Sequence, residues 1–214
     1  MPHFLVRFVA VLATVGISAT ANAAEWVVPP PGYTMKASLP CELDPGRAAR
    51  PTRPNQAIYQ VCEDQMALFR RGLDEAKASG KLLLVTFGAT WCPWCASLQR
   101  YVPGPELFGH KSEGLDLGQA FLHLEIGLSY IYEGQKETIP SGDDVLALVL
   151  VRAPGVKVRA IPFLAVIDPT TTDRVVARNL DDVATRGGDF DLGRVRNVFI
   201  EAHGVVRQGK PASQ

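Results

Sequence analysis

KLLLVTFGATWCPWCASLQRY, residues 81–101, is the stretch whose reading decides the fold. After Lys81 the chain is apolar to Phe87, broken only by Thr86. A run of that length without alternation has the pattern of a strand buried on both faces of a sheet. Residues 88–91 end the run, and a helix is expected over residues 93–101. Pro93 suits a first helical turn, where its missing N–H has no intrahelical partner to lose. Cys92 and Cys95, three apart at that junction, are spaced to bond to each other without moving the backbone far. Cys92 falls at the helix N-terminus, where unpaired N–H groups and the helix dipole favour a thiolate. Cys95 falls one turn deeper, shielded and placed to attack a mixed disulfide on Cys92. The expected chemistry is thiol–disulfide exchange.

Working outward, Met66, Phe69, Leu73 and Ala76 recur at helical spacing, and Gly80 stands where a helix C-terminus favours glycine. Beyond the cysteines, strands are expected at 121–126, 163–168 and 174–177, with helices at 143–151 and 192–203. Strand and helix alternate early, and two strands are adjacent late. That order predicts an α/β domain over residues 64–205, a mixed central sheet flanked by helices on both faces. Residues 206–214 are expected as a flexible tail.

The N-terminal end reads as an address. Residues 1–23 carry one charge, Arg7, followed by an uncharged stretch that closes on Ala21, Asn22 and Ala23, a small-x-small pattern. This predicts a cleaved signal peptide and a periplasmic or secreted protein. The strongly apolar part ends near Ile17, short of the roughly 20 residues that a spanning helix needs, which argues against an uncleaved anchor. No stable membrane insertion is expected after cleavage. Of 22 basic and 22 acidic residues, cleavage removes only Arg7, leaving 21 against 22, a net of −1. That balance offers no electrostatic case for nucleic acid or an anionic membrane. A hydrophobic share of 47% is too high for a disordered chain, and four cysteines in 214 residues are too few for a disulfide scaffold.

Residues 24–63 are rich in proline (29, 30, 31, 40, 45, 51 and 54) and lack an apolar period, so an irregular arm is expected. In an oxidising compartment Cys41 and Cys62 are expected to pair as a structural staple. The loop they close, about 20 residues, makes such a bond worth roughly 3 kcal/mol. A second redox-active pair is the alternative.

Two plainer readings of Cys92 and Cys95 exist. Half of a zinc site would need a second Cys-x-x-Cys or paired histidines. The chain has neither, since His3, His110, His123 and His203 show no ligand spacing. No metal and no cofactor is therefore expected. An inert brace is the other, although structural pairs seldom sit at helix N-termini flanked by tryptophan.

Trp91-Cys92-Pro93-Trp94-Cys95 after an apolar strand resembles the active site of thioredoxin-fold proteins. The stretch VRAIPFLAVI, residues 158–167, is similar to the family's cis-proline loop and the strand that follows it. The resemblance covers roughly residues 64–205. It implies a thioredoxin-like fold, with Cys92 as nucleophile and Cys95 as resolving thiol. It also implies a cis Ile161–Pro162 bond facing them, which keeps metal out and offers backbone to a peptide. Trp91, Trp94, Ile161 and Pro162 are then the substrate-facing residues.

There are departures. Thioredoxins carry a buried Asp six residues before the first cysteine, where this chain has Thr86. Water or another group must then accept the proton of the resolving thiol. Glu125 is conceivable, but a solvated position is expected for it. The dipeptide between the cysteines, Pro93-Trp94, matches neither the Gly-Pro of thioredoxins nor the Pro-His of the strong bacterial oxidase. Residues 102–158 exceed what a minimal thioredoxin needs. That insert, with Tyr130, Tyr132, Ile139 and Pro140, either shapes a partner surface or lengthens a loop.

What the resemblance implies is an exported thiol:disulfide oxidoreductase acting on cysteine-containing protein substrates. Ile161 before the proline and Trp91 before Cys92 look like the reducing members, and a reductant outside the cytosol implies a membrane electron donor. An oxidase or isomerase, with a membrane electron acceptor instead, stays open, as does a non-catalytic binding or assembly module.

Overall fold

The computed structural model describes residues 26–34, 63–102, 104–109, 111–112, 114–132, 135–185 and 189–209. The expected signal segment, the Cys41–Cys62 staple and residues 210–214 lie outside them.

Asp64 opens the first helix, α1 (Gln65–Ser79), by accepting hydrogen bonds from the Met66 and Ala67 amides at 2.8 and 3.2 Å. Gly80 ends it at φ 67°, a left-handed conformation that glycine adopts without steric cost. β1 (Leu82–Gly88) is buried along its whole length, and α2 (Pro93–Tyr101) follows. A two-residue pairing of β2 (Lys111–Ser112) with β3 (Leu115–Asp116) leads through the one-turn α3 (Leu117–Ala120) into β4 (Phe121–Gly127). The hairpin β5 (Tyr130–Tyr132) and β6 (Gln135–Glu137) precedes α4 (Gly142–Leu150). β7 (Phe163–Ile167), β8 (Val175–Asn179), a 3-10 turn (Asp181–Val183) and α5 (Leu192–Gln208) complete the order.

Four strands form one sheet in the order β4-β1-β7-β8. β1 runs parallel to β4 and antiparallel to β7, and β7 runs antiparallel to β8. The protein is α/β, with a mixed four-stranded sheet flanked by helices. Alternation along β1 divides the core in two. Leu82 and Leu84 pack with Leu98 of α2, with Val102 that caps it, and with Val195, Phe199 and Ala202 of α5. Leu83, Val85 and Phe87 pack with Met66, Phe69 and Leu73 of α1 and with Val145 and Val149 of α4.

Both expected ends of the domain move outward. Trp26, assigned by sequence to the irregular arm, is buried in the α1/α4 core. Its Nε1–H donates to the carbonyls of Asp168 and Thr171 at 3.2 and 2.8 Å, and its ring meets Phe69 edge-on at 5.7 Å. The Arg152 guanidinium lies 4.5 Å from the Trp26 ring centroid. Tyr33 hydrogen-bonds through its hydroxyl to Asp64 and Ser141. A lone aromatic among prolines has no period, so only the core it enters reveals its role. At the other end α5 runs to Gln208 rather than stopping near 203, and Val206 is buried. Gly204 weakens the helical signal there, since glycine costs about 1 kcal/mol against alanine inside a helix. Tertiary packing of Val206 outweighs it.

Within the insert, the described residues form ordered structure beyond the expected strand and helix. Its described residues include two short antiparallel pairings and α3, all too brief to leave a period in the sequence. The end of β4 is pressed close to the start of α4: a Cβ built on Gly142 would lie 1.8 Å from the Gly127 carbonyl oxygen.

Candidate active site

Parallel pairing with β4 and antiparallel pairing with β7 hold β1 at the middle of the sheet, and the loop leaving its C-terminal end carries the cysteines. Cys92 is the N-cap of α2, with extended backbone at φ −75° and ψ 108°. Its Sγ accepts a hydrogen bond from the Cys95 amide at 3.0 Å, and the two sulfurs form a disulfide with Cα atoms 5.2 Å apart. Helix start, proline at the first helical turn and buried first-turn cysteine therefore stand as the residue pattern requires.

The same pairing brings residues 161 and 162 to this end of the sheet. Phe163 lies opposite Phe87 in the β1–β7 register, so the two residues before β7 face the loop after β1. Cys92 Sγ is 3.7 Å from the Ile161 carbonyl oxygen, and the Ile161–Pro162 peptide bond is cis. Ala89, Cys92 and Cys95 form a small apolar cluster against which Trp94 and Ile161 pack.

The two cysteines are similarly buried. Cys92 is 3% exposed and Cys95 1%, so both lie beneath the surface in the disulfide form. Trp91, at 38%, is the exposed aromatic beside them. Trp94 is half-buried and turns its ring edge-on to Phe190 at 5.7 Å. It therefore shields the disulfide and also ties α2 to the segment before α5. Asp189 strengthens that tie by accepting hydrogen bonds from the Ser97 hydroxyl and, at 2.8 Å, from the Tyr101 hydroxyl. Those bonds, Ser97 first, hold the Asp189 carboxyl below the usual carboxylate range. Nothing in the local pattern marks Asp189, because its partners lie about 90 residues away in sequence.

Beneath Cys95 is a narrow crevice lined by Thr86, Cys95, Leu98, Gln99, Val102, His123 and Pro162. Thr86 Oγ1 hydrogen-bonds His123 Nε2 at 2.9 Å, and His123 Nδ1 lies 3.8 Å from Glu125 Oε1. The expected solvated position of Glu125 is thus corrected: its side chain is 23% exposed and that of His123 7%. In the β1–β4 register Leu84 faces His123 and Thr86 faces Glu125, which places both on the sheet face covered by α2 and α5. Burial raises Glu125 from 4.5 to about 7 and lowers His123 from 6.5 to about 4. At 3.8 Å the contact is longer than a hydrogen bond, and burial of both groups opposes a charged pair. The alternation of Phe121, His123 and Glu125 along one strand was the available signal. Gln99, which shares the crevice, has a buried amide Nε2 with no hydrogen-bond partner among the described residues.

No group of three or more His, Cys, Asp or Glu side chains among the described residues is placed to hold a metal ion. No helix among them is long and apolar enough to cross a membrane. Fold and site together define an α/β protein with a disulfide of the Cys-x-x-Cys type capping the helix that leaves its central strand. A scan against protein-family models and a search of curated proteins return no match to the chain.

Proposed function

We propose that this chain is an exported thiol:disulfide oxidoreductase with a thioredoxin-like fold, which reduces disulfides of protein substrates through Cys92 and Cys95. The observation that carries the reading is the Cys92 sulfur at the N-cap of α2, bonded to Cys95 and accepting its amide hydrogen bond. That position stabilises a thiolate on Cys92 after reduction, because the helix N-terminus presents partial positive charge. In a turnover the Cys92 thiolate attacks one sulfur of a substrate disulfide and the other sulfur leaves as a thiolate. Cys95 then attacks Cys92, which releases the second substrate sulfur and restores the internal bond.

Exposed Trp91 and the Ile161 carbonyl, 3.7 Å from the sulfur, are the surfaces a substrate peptide would meet. The reducing direction rests on the resemblance, through Ile161 before the cis bond and Trp91 before Cys92. It requires electrons from a membrane donor. Cys41 and Cys62 are proposed as the staple of the intervening arm.

The reduction potential of the Cys92–Cys95 pair tests this reading, by equilibration against glutathione and dithiothreitol buffers. A value near that of thioredoxin, about −270 mV, supports a reductant. A value near about −120 mV makes the protein an oxidase and reverses the direction. Absence of any titration removes the enzyme reading and leaves a brace in a binding module.

A further inference from the structure

Resting on the exchange reading, we propose that Asn179 is a positioning residue for peptide substrates. Its side-chain amide sets the course of the main chain that leads to the Ile161 carbonyl beside Cys92. Asn179 is the last residue of β8 and lies opposite Phe163, the first residue of β7, in their antiparallel register. From there its side chain reaches back to the segment before β7. Oδ1 accepts hydrogen bonds from the Arg159 and Ala160 amides at 2.8 and 3.4 Å, and Nδ2 donates to the Lys157 carbonyl at 2.8 Å. One residue therefore holds both sides of the bend at Ile161 and Pro162. Its main chain sits against Phe163, and its side chain ties residues 157, 159 and 160.

An asparagine side chain carries the acceptor and donor of a peptide unit on one planar group, so it can stand in for a strand neighbour. This stretch has no such neighbour. Among the described residues no other hydrogen bond reaches the main chain of residues 157–160. Val156 and Val158 pack against the α1/α4 core, but apolar burial is non-directional and does not aim a carbonyl. The Arg159 guanidinium pairs with Asp181 at 3.1 Å, yet the two side chains are 65% and 39% exposed, where an ion pair contributes little. The Asn179 amide is left as the directional restraint.

The Ile161 carbonyl oxygen lies 3.7 Å from Cys92 Sγ, so a peptide whose N–H bonds to that oxygen is held with its backbone alongside the sulfur. A shift of Ile161 weakens that bond, because hydrogen bonds depend steeply on distance and angle. Cys92 keeps its place, since the start of α2 and the Cys95 amide hold it independently. Asn179 touches neither sulfur, so its loss acts on docking and leaves the sulfur chemistry alone.

The test uses two disulfides with the same leaving group, each mixed with the reduced full chain after the reductant has been removed. One is a short peptide whose central cysteine is disulfide-bonded to thionitrobenzoate. The other is dithiobis(nitrobenzoate), which has no peptide unit. In both, the Cys92 thiolate bonds to one sulfur, the disulfide breaks, and thionitrobenzoate leaves with the electron pair and is read by its yellow colour. In Asn179→Ala the peptide concentration at half-maximal rate should rise about tenfold, the order expected for one or two lost hydrogen bonds. The maximal rate should stay unchanged, as when binding common to ground and transition states is removed. The rate with dithiobis(nitrobenzoate) should equal that of the wild type, which shows that the fold and Cys92 are intact. An unchanged half-maximal concentration for the peptide overturns the assignment, as does equal slowing with both disulfides. Release from the wild type no faster than from Cys92→Ser overturns the exchange reading itself, a distinct result.

Discussion

Glu125→Gln makes a thermodynamic prediction independent of turnover. Burial lifts the Glu125 carboxyl from an ordinary 4.5 to about 7. At 1.36 kcal/mol per pH unit, ionising it in the folded state costs about 3 kcal/mol more than in the unfolded chain. A carboxyl raised on folding keeps its proton in the native state while the unfolded chain has lost it. Stability is therefore full below about 4.5 and falls as pH rises through 7. His123 acts in the opposite window. Its folded value near 4 lies below the ordinary 6.5, so the stability it contributes is complete above 6.5 and is lost as pH falls through 4. Wild type and Glu125→Gln share that contribution, and their difference isolates Glu125.

Urea unfolding followed by tryptophan fluorescence at pH 4.5, 6, 7 and 8 reads it directly. The variant should gain on the wild type across that series by about 3 kcal/mol, moving the midpoints apart by about 1.5 M for an m-value of about 2 kcal/mol/M. A flat difference curve would show that Glu125 ionises without penalty, and the burial argument fails. A difference of the opposite sign would make the 3.8 Å contact with His123 a true ion pair.

Three further outcomes follow from packing and sulfur geometry. Trp26→Ala should cost about 3–5 kcal/mol in a thermal melt, since the ring enters the α1/α4 core and its N–H serves two carbonyls. A loss under about 0.5 kcal/mol would return the segment to a surface strap. Gly142→Ala should destabilise by about 3 kcal/mol, the upper range for overpacking, because a Cβ there meets backbone at 1.8 Å rather than a side chain able to move. Cys95→Ser should accumulate mixed disulfides through Cys92 when exposed to protein disulfides. Equal trapping through Cys41 or Cys62 would refute the division into a reactive and a structural pair.

The site was legible in part because its signals are local. A continuous apolar strand, a proline at the first helical turn and two cysteines three apart depend only on neighbours, and Leu82–Gly88 and Pro93–Tyr101 stand within a residue of expectation. Gly80 closing α1 and Phe163–Ile167 leading from Pro162 were readable for the same reason. Short pieces such as β5 and β6 were not, since three residues give no period to detect.

By itself the sequence determined the order of the longer strands and helices, the cysteine pair at a helix start and the absence of a charge bias, all properties of the chain at separations of a few residues. Only the tertiary structure decided that Trp26 belongs to the core, that Asp189 clamps α2, and that His123 and Glu125 lie on the Cys95 side of the sheet. The physical reason is register. A half-buried strand turns alternate side chains to opposite faces, and which face of β4 is covered depends on α2 and α5, neither of them adjacent to it in the chain. Glutamate is usually solvated, so composition argues for the outer side. The pairing of Thr86 with Glu125 across β1 and β4 places it within the site instead.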